Sequence, residues 1–140
     1  MNDAELQLRT EQALSQLADW QLSAEEVVNL LGLPEEIKAR HLPSYLKGER
    51  KLPASAELQA RLEHIRGISE ALTTTFPFSA QMRSVWLHRP HRRFQRRSPL
   101  AVMLEEGIEG LQKVRMDVDC AYSYAIADAM AAEYSVKSMS

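Results

Sequence analysis

The sequence predicts an all-α protein, and three observations carry that expectation. Glycine is scarce, with 5 in 140 residues. No stretch sustains the period-two alternation of a half-buried strand. Alanine, leucine, glutamate and arginine, all good helix formers, dominate the composition. The hydrophobic fraction of 45% is ordinary for a globular chain. A chain of 140 residues is long enough for one compact unit or two very small ones.

Each element follows from local signals. Leu6, Leu14 and Leu17 place an apolar stripe on a first helix over residues 3–20. Ser23 with Glu26 three residues later is a capping box. It opens a short helix with Val27, Val28, Leu30 and Leu31, which Gly32 ends. Pro34, Glu35 and Glu36 suit the first turn of a third helix carrying Ile37 and Leu42. Pro43 is expected to kink or split that helix, because an interior proline loses a backbone bond and clashes. Tyr45 and Leu46 continue its apolar face, and residues 48–53 (GERKLP) read as a loop. A fourth helix fits 55–75, with Leu58, Leu62, Ile65, Ile68 and Leu72 on one face. The run Thr73-Thr74-Thr75-Phe76-Pro77 marks a boundary, so two domains are expected, 1–76 and 77–140. In the second, a helix from Ser79 through Trp86 stops near Pro90, and a basic connector follows. Ser98-Pro99 is an N-cap with a first-turn proline, opening a short helix to about Glu106 that Gly107 closes. A last helix spans 107–134 through Ile108, Leu111, Val114, Val118, Tyr122, Ala125, Ile126 and Ala129, followed by a frayed tail.

Several function classes are set aside on these grounds. Cys120 is the single cysteine, which leaves no disulfide framework or cysteine zinc site, and its apolar neighbours predict a buried, inert thiol. His88 and His91 straddle Pro90 without a nearby acid, too few ligands for a metal site. No phosphate-binding glycine loop, nucleophile elbow or metal-binding helix motif occurs, so neither an enzyme nor a cofactor is expected. Glu105 and Glu106 are adjacent, and on a helix they are expected to diverge. No apolar run approaches a membrane span and the N-terminus has no signal-like apolar core, so the expected setting is cytoplasmic.

The net charge of −2 hides a strong segregation. Residues 1–76 carry 8 basic and 12 acidic side chains, residues 77–97 carry 6 and none, and residues 98–140 carry 3 and 7. Two constellations follow. Residues 23–51 have the order of a helix-turn-helix, with Lys38, Arg40, His41, Ser44, Lys47, Arg50 and Lys51 as candidate DNA contacts. A plain helical bundle with solvated charges fits as well, since Glu35 and Glu36 stand where a recognition helix would meet phosphate. The arginine cluster from Arg83 to Arg97 suits a protein partner, nucleic acid or a solubilising surface. Its apolar frame of Trp86, Leu87, Pro90, Phe94 and Pro99 favours the protein partner.

The second half resembles the toxin-binding domain of the Xre/MbcA/ParS antitoxins. The resemblance rests on Trp86-Leu87, Pro90, Phe94, Ser98-Pro99-Leu100, Leu104 and Gly107, then Gly110-Leu111 and Val114. It implies an Xre-like helix-turn-helix domain over 1–76 and a toxin-binding domain with a C-terminal helix and tail over 77–140. It further implies a type II antitoxin that neutralises a RES-domain, NAD-consuming toxin by covering its active site. Repression of its own operon as a homo-oligomer on operator DNA is expected with it. Arg89, Arg92, Arg93, Arg96, Arg97, Tyr134 and Lys137 are the expected toxin contacts. The alternative is a stand-alone helix-turn-helix regulator without a toxin.

The apolar frame makes one stability prediction at this level. If Trp86 is a core aromatic, Trp86→Ala costs about 3–5 kcal/mol in a denaturant titration.

Overall fold

The computed structural model describes residues 2–120, and every described element is helical or a turn. Helix α1 is Asp3–Asp19, with the Asn2 side chain accepting the Glu5 amide at 2.8 Å. Helix α2 is Ala24–Leu31. Both halves of its capping box form, Glu26 N to Ser23 Oγ at 3.1 Å and Ser23 N to Glu26 Oε1 at 2.8 Å. Gly32 ends it in the left-handed region, at φ 62°. Helix α3 is Leu42–Leu46, α4 is Ala56–Thr75 with Ser55 as N-cap, and α5 is Ala80–His88 with Ser79 as N-cap. Helix α6 is Pro99–Glu106, capped by Ser98, and a last helix, α7, occupies 108–120. The remainder of the expected 107–134 helix, with Tyr122, Ala125, Ile126 and Ala129, lies outside the described residues.

The expected third helix is corrected. Residues 34–38 form a turn, a 3₁₀ turn follows at Ala39–His41, and α3 begins only at Leu42. The reason is Pro43. A helix begun at Pro34 would bury that proline in its interior, whereas one begun at Leu42 places it in the first turn, where its missing N–H is not needed. Glu35 and Glu36 therefore stand on an exposed turn rather than at a helix start.

One hydrophobic core runs the length of the described chain, from Leu6 to Val118. Helix α4 is its axis and packs against α1, α2 and α5. Its buried face is Leu58, Leu62, Ile65, Ile68 and Leu72. Helix α6 leans on α2 and α5, which carries the core across the Phe76–Pro77 boundary. The buried tryptophan is Trp20, at the end of α1, and not Trp86, which is only half-buried at the edge of the core. The Trp20 carbonyl accepts from Ser84 Oγ at 3.3 Å and pairs with His88 Nε2 at 2.9 Å, locking α1 to α5. Cys120, expected to be buried, is exposed.

Two glycines mark close helix approaches. A Cβ on Gly110 would lie 2.3 Å from the Val102 carbonyl oxygen, so α7 crosses α6 backbone to backbone. A Cβ on Gly67 would meet the Arg115 guanidinium at 2.5 Å, a side chain able to swing away. Arg115 crosses α4 at that point, with Nη1 3.4 Å from the Glu63 carbonyl oxygen and 3.3 Å from His64 Nδ1. Burial first, and then the Arg115 charge, hold the His64 imidazole below its ordinary 6.5.

Three outcomes follow from this packing. Gly110→Ala destabilises by about 3 kcal/mol, because the clash is with backbone, and Gly67→Ala by clearly less; urea titration separates them. Trp20→Ala costs about 3–5 kcal/mol, and Trp86→Ala, removing a half-buried ring, costs less. His64 takes up its proton at lower pH in the fold than in the unfolded chain. Its contribution is therefore complete above pH 6.5 and is lost as pH falls below that value. Stability measured between about pH 7.5 and 5 should decline, and His64→Gln should flatten that decline.

Candidate functional site

The described arginine-rich segment is a closed loop mounted on the end of α5. His91 and Arg97 face each other, His91 N donating to the Arg97 carbonyl at 3.2 Å and Arg96 N to the His91 carbonyl at 3.0 Å. Between them, Arg92–Phe94 form a 3₁₀ turn, and Phe94 inserts into the core. Gln95 and Arg96 both adopt positive φ, 56° and 64°, which costs a non-glycine residue about 1 kcal/mol each. The surrounding bonds over-determine this conformation.

Both histidines of the segment are committed to backbone carbonyls. His91 Nε2 lies 2.9 Å from the Trp86 carbonyl, and its ring sits between Trp86 at 5.1 Å and the edge-on Phe94 at 6.4 Å. His88 is spent on Trp20. A carbonyl only accepts, so Nε2 carries the proton in each ring.

The cationic side chains divide into two sets. Arg83 donates to the Phe76 carbonyl at 2.6 Å, tying α5 to the end of α4. Arg97 is held by two carboxylates, Nη1 on Glu106 at 2.8 Å and Nη2 on Glu105 at 2.5 Å. The expectation that Glu105 and Glu106 diverge is thus corrected: a long side chain from outside the helix reaches both. Lys113 also bonds Glu106, and these two cations, Lys113 first, hold its carboxyl below the usual range. Arg93 pairs through Nε with Asp117 at 2.8 Å. Arg89, Arg92 and Arg96 are exposed and make no ion pair among the described residues. Tyr134 and Lys137 lie outside the described residues. An open cleft of about 210 Å³ is lined by Arg93, Phe94, Gln95, Arg97, Val102, Glu106 and Lys113.

Beside the loop, α5 and the turn before it present an exposed apolar stripe that sequence reasoning missed. Phe78 is 99% exposed, Met82 53% and Val85 42%. Met82 and Val85, three residues apart, share one face of α5, and Phe78 stands in the turn just before the Ser79 N-cap. That spacing was the available signal, masked by the attention that Trp86 and Leu87 draw.

The candidate DNA contacts gather around α3. His41 Nδ1 accepts the Lys38 amide at 3.2 Å. Its imidazole is held below the ordinary value by burial, then by the charges of Arg50, Arg40 and Lys38. Lys47 is exposed, and the Ser44 carbonyl accepts the Glu49 amide at 2.9 Å. Lys51 is turned away to Asp3 at 3.0 Å. Among the described residues, no three or more His, Cys, Asp or Glu side chains gather as a metal site.

The chain matches none of the curated proteins significantly. Residues 71–116, which contain the α5 stripe, the arginine loop, α6 and the start of α7, match the model of the antitoxin Xre/MbcA/ParS C-terminal toxin-binding domain. This segment of the chain is therefore similar to the toxin-binding domain of the Xre/MbcA/ParS antitoxins.

Proposed function

We propose that this protein is an antitoxin that neutralises a RES-domain, NAD-consuming toxin by covering its active site. The exposed Phe78, Met82 and Val85 stripe and the arginine loop would form the contact surface. The stripe is the observation that carries the reading. Large apolar side chains left in water at the start of α5 and along its face mark an interaction surface. The stripe lies within the matched segment and is continued at its end by Arg89, with Arg92 and Arg96 beyond. Residues 77–97 contain no acid, so a second copy would bring like charge to this face, and an acidic-rimmed partner fits it better. Tyr134 and Lys137 belong to the same proposal as contacts at the toxin's pocket.

Operon repression is the second part of the reading. The cations around His41, with Lys47 and Ser44 beside them, would meet phosphate. Binding there is weakened by the exposed Glu35, Glu36 and Glu49, and its loss with salt scales with the number of phosphates that the cations meet.

Surface substitutions test the first part better than truncation, because the continuous core would be opened by a cut at Pro77. Phe78→Asp with Met82→Glu should fold normally, lose rescue of growth on co-expression with the neighbouring toxin, and bind it about thirtyfold or more less tightly. Full rescue by that double variant would remove the stripe from the interface. For DNA, a gel shift on the upstream region at two salt concentrations should be abolished by Arg40→Ala with Arg50→Ala. A shift that survives this pair but fails when Arg89, Arg92 and Arg96 are neutralised would move DNA contact to the second half.

A further inference from the structure

We infer that Asp117 is a positioning residue that aims Arg93 outward, and that the group Arg93 meets is a carboxylate on the toxin. This rests on the toxin-binding reading and names its central polar contact. Asp117 sits on α7 between Val114 and Val118, both buried, and its side chain is only 16% exposed. One oxygen, Oδ1, lies 2.8 Å from Arg93 Nε. The other, Oδ2, is buried and has no hydrogen-bond partner among the described residues. An unpartnered buried carboxylate oxygen opposes folding, and an apolar side chain would serve this helix face better. Such a local departure from good packing is expected where a position serves recognition rather than stability.

The effect of Asp117 is seen on Arg93. The Arg93 side chain is 58% exposed, and among the described residues neither of its Nη atoms makes a hydrogen bond. With Nε turned to Asp117, the Nη1–Nη2 edge is left to meet a planar acceptor with two parallel bonds. The other cations of the cleft are spent, Arg97 on Glu105 and Glu106, Lys113 on Glu106. The backbone under Arg93 is held by the closed loop and by buried Phe94, so little freedom remains to be lost on binding. The acids around the cleft disfavour a polyanionic strand while leaving room for a single carboxylate.

The test measures binding of the full-length antitoxin to the toxin encoded beside it, with melting of each variant alongside. Arg93→Ala and Asp117→Asn should each weaken binding about tenfold to a hundredfold, Asp117→Asn without lowering the melting temperature. The double variant should bind no worse than Arg93→Ala, because Asp117 acts only through Arg93. Arg93→Lys should recover part of the affinity, since it keeps the charge and loses the fork. Tight binding by Arg93→Ala or Asp117→Asn, additive losses in the double variant, or full recovery by Arg93→Lys would each overturn the inference while the toxin-binding reading stands. Losses confined to binding of a duplex DNA probe would overturn it in favour of nucleic acid. A wild-type protein that fails to bind the toxin would overturn both.

Discussion

The Arg61 guanidinium lies where the two halves of the chain meet, and the arrangement of the site depends on it. Arg61 is buried on α4, and its Nη1 donates to the Leu30 carbonyl at 3.1 Å, at the end of α2. Its Nε and Nη2 reach Glu57 Oε1, one turn back on the same helix. Gly32 passes directly over it, since a Cβ there would lie 2.6 Å from Nε. Gly107 passes on another side, with 3.4 Å from a Cβ to Nη2. One cation therefore satisfies a carbonyl that α2 leaves open, sits favourably at that helix's negative end, and floors the α6–α7 turn. Arginine suits the position because its flat fork serves several acceptors at once, where a lysine would serve one point.

That junction also sets the geometry of the segment that carries the arginine loop. Gly107 adopts φ 64° and ψ −135°, a conformation open in practice to glycine alone, and it redirects the chain so that α7 returns against α6. Gly110 then permits the backbone contact with Val102. With α6 and α7 fixed, Glu105, Glu106 and Asp117 stand at set positions, and the arginine loop is held by them from one side and by Phe94 from beneath.

Much of this was legible in the sequence where local chemistry decides it. Ser23 and Ser98 cap the helices expected after them, Ser55 and Ser79, expected as first helical residues, prove to be N-caps, and Gly32 and Gly107 end their helices. Helix α6 falls on its expected residues because Ser98-Pro99 and Gly107 bracket it without competition. The failures occur where a distant residue decides. Pro43 reads as an interior breaker only if a helix is assumed to start at Pro34. Trp20 ends a helix in an unremarkable polar context, and only the return of α5 buries it. The meeting of Arg97 with both Glu105 and Glu106 needs the loop closed first. Arg61 has no sequence signal, because an arginine on a polar-looking helix face is ordinarily solvated.

The same dependence on tertiary position reshapes the meaning of the charge. In the sequence, residues 77–97 are a block of six cations. In the fold, Arg83 and Arg97 are consumed internally, Arg93 is oriented by Asp117, and Arg89, Arg92 and Arg96 are left in water. A polyanion would be met best by a continuous row of free cations. Here the free charges are few, and they are set beside an apolar stripe with Phe78 fully open. Protein interfaces are built in this way, with an apolar centre excluding water and a small number of arginines placed at its rim. The segregation of charge along the chain is therefore less a measure of how much negative charge the partner carries than of where on its surface that charge must lie.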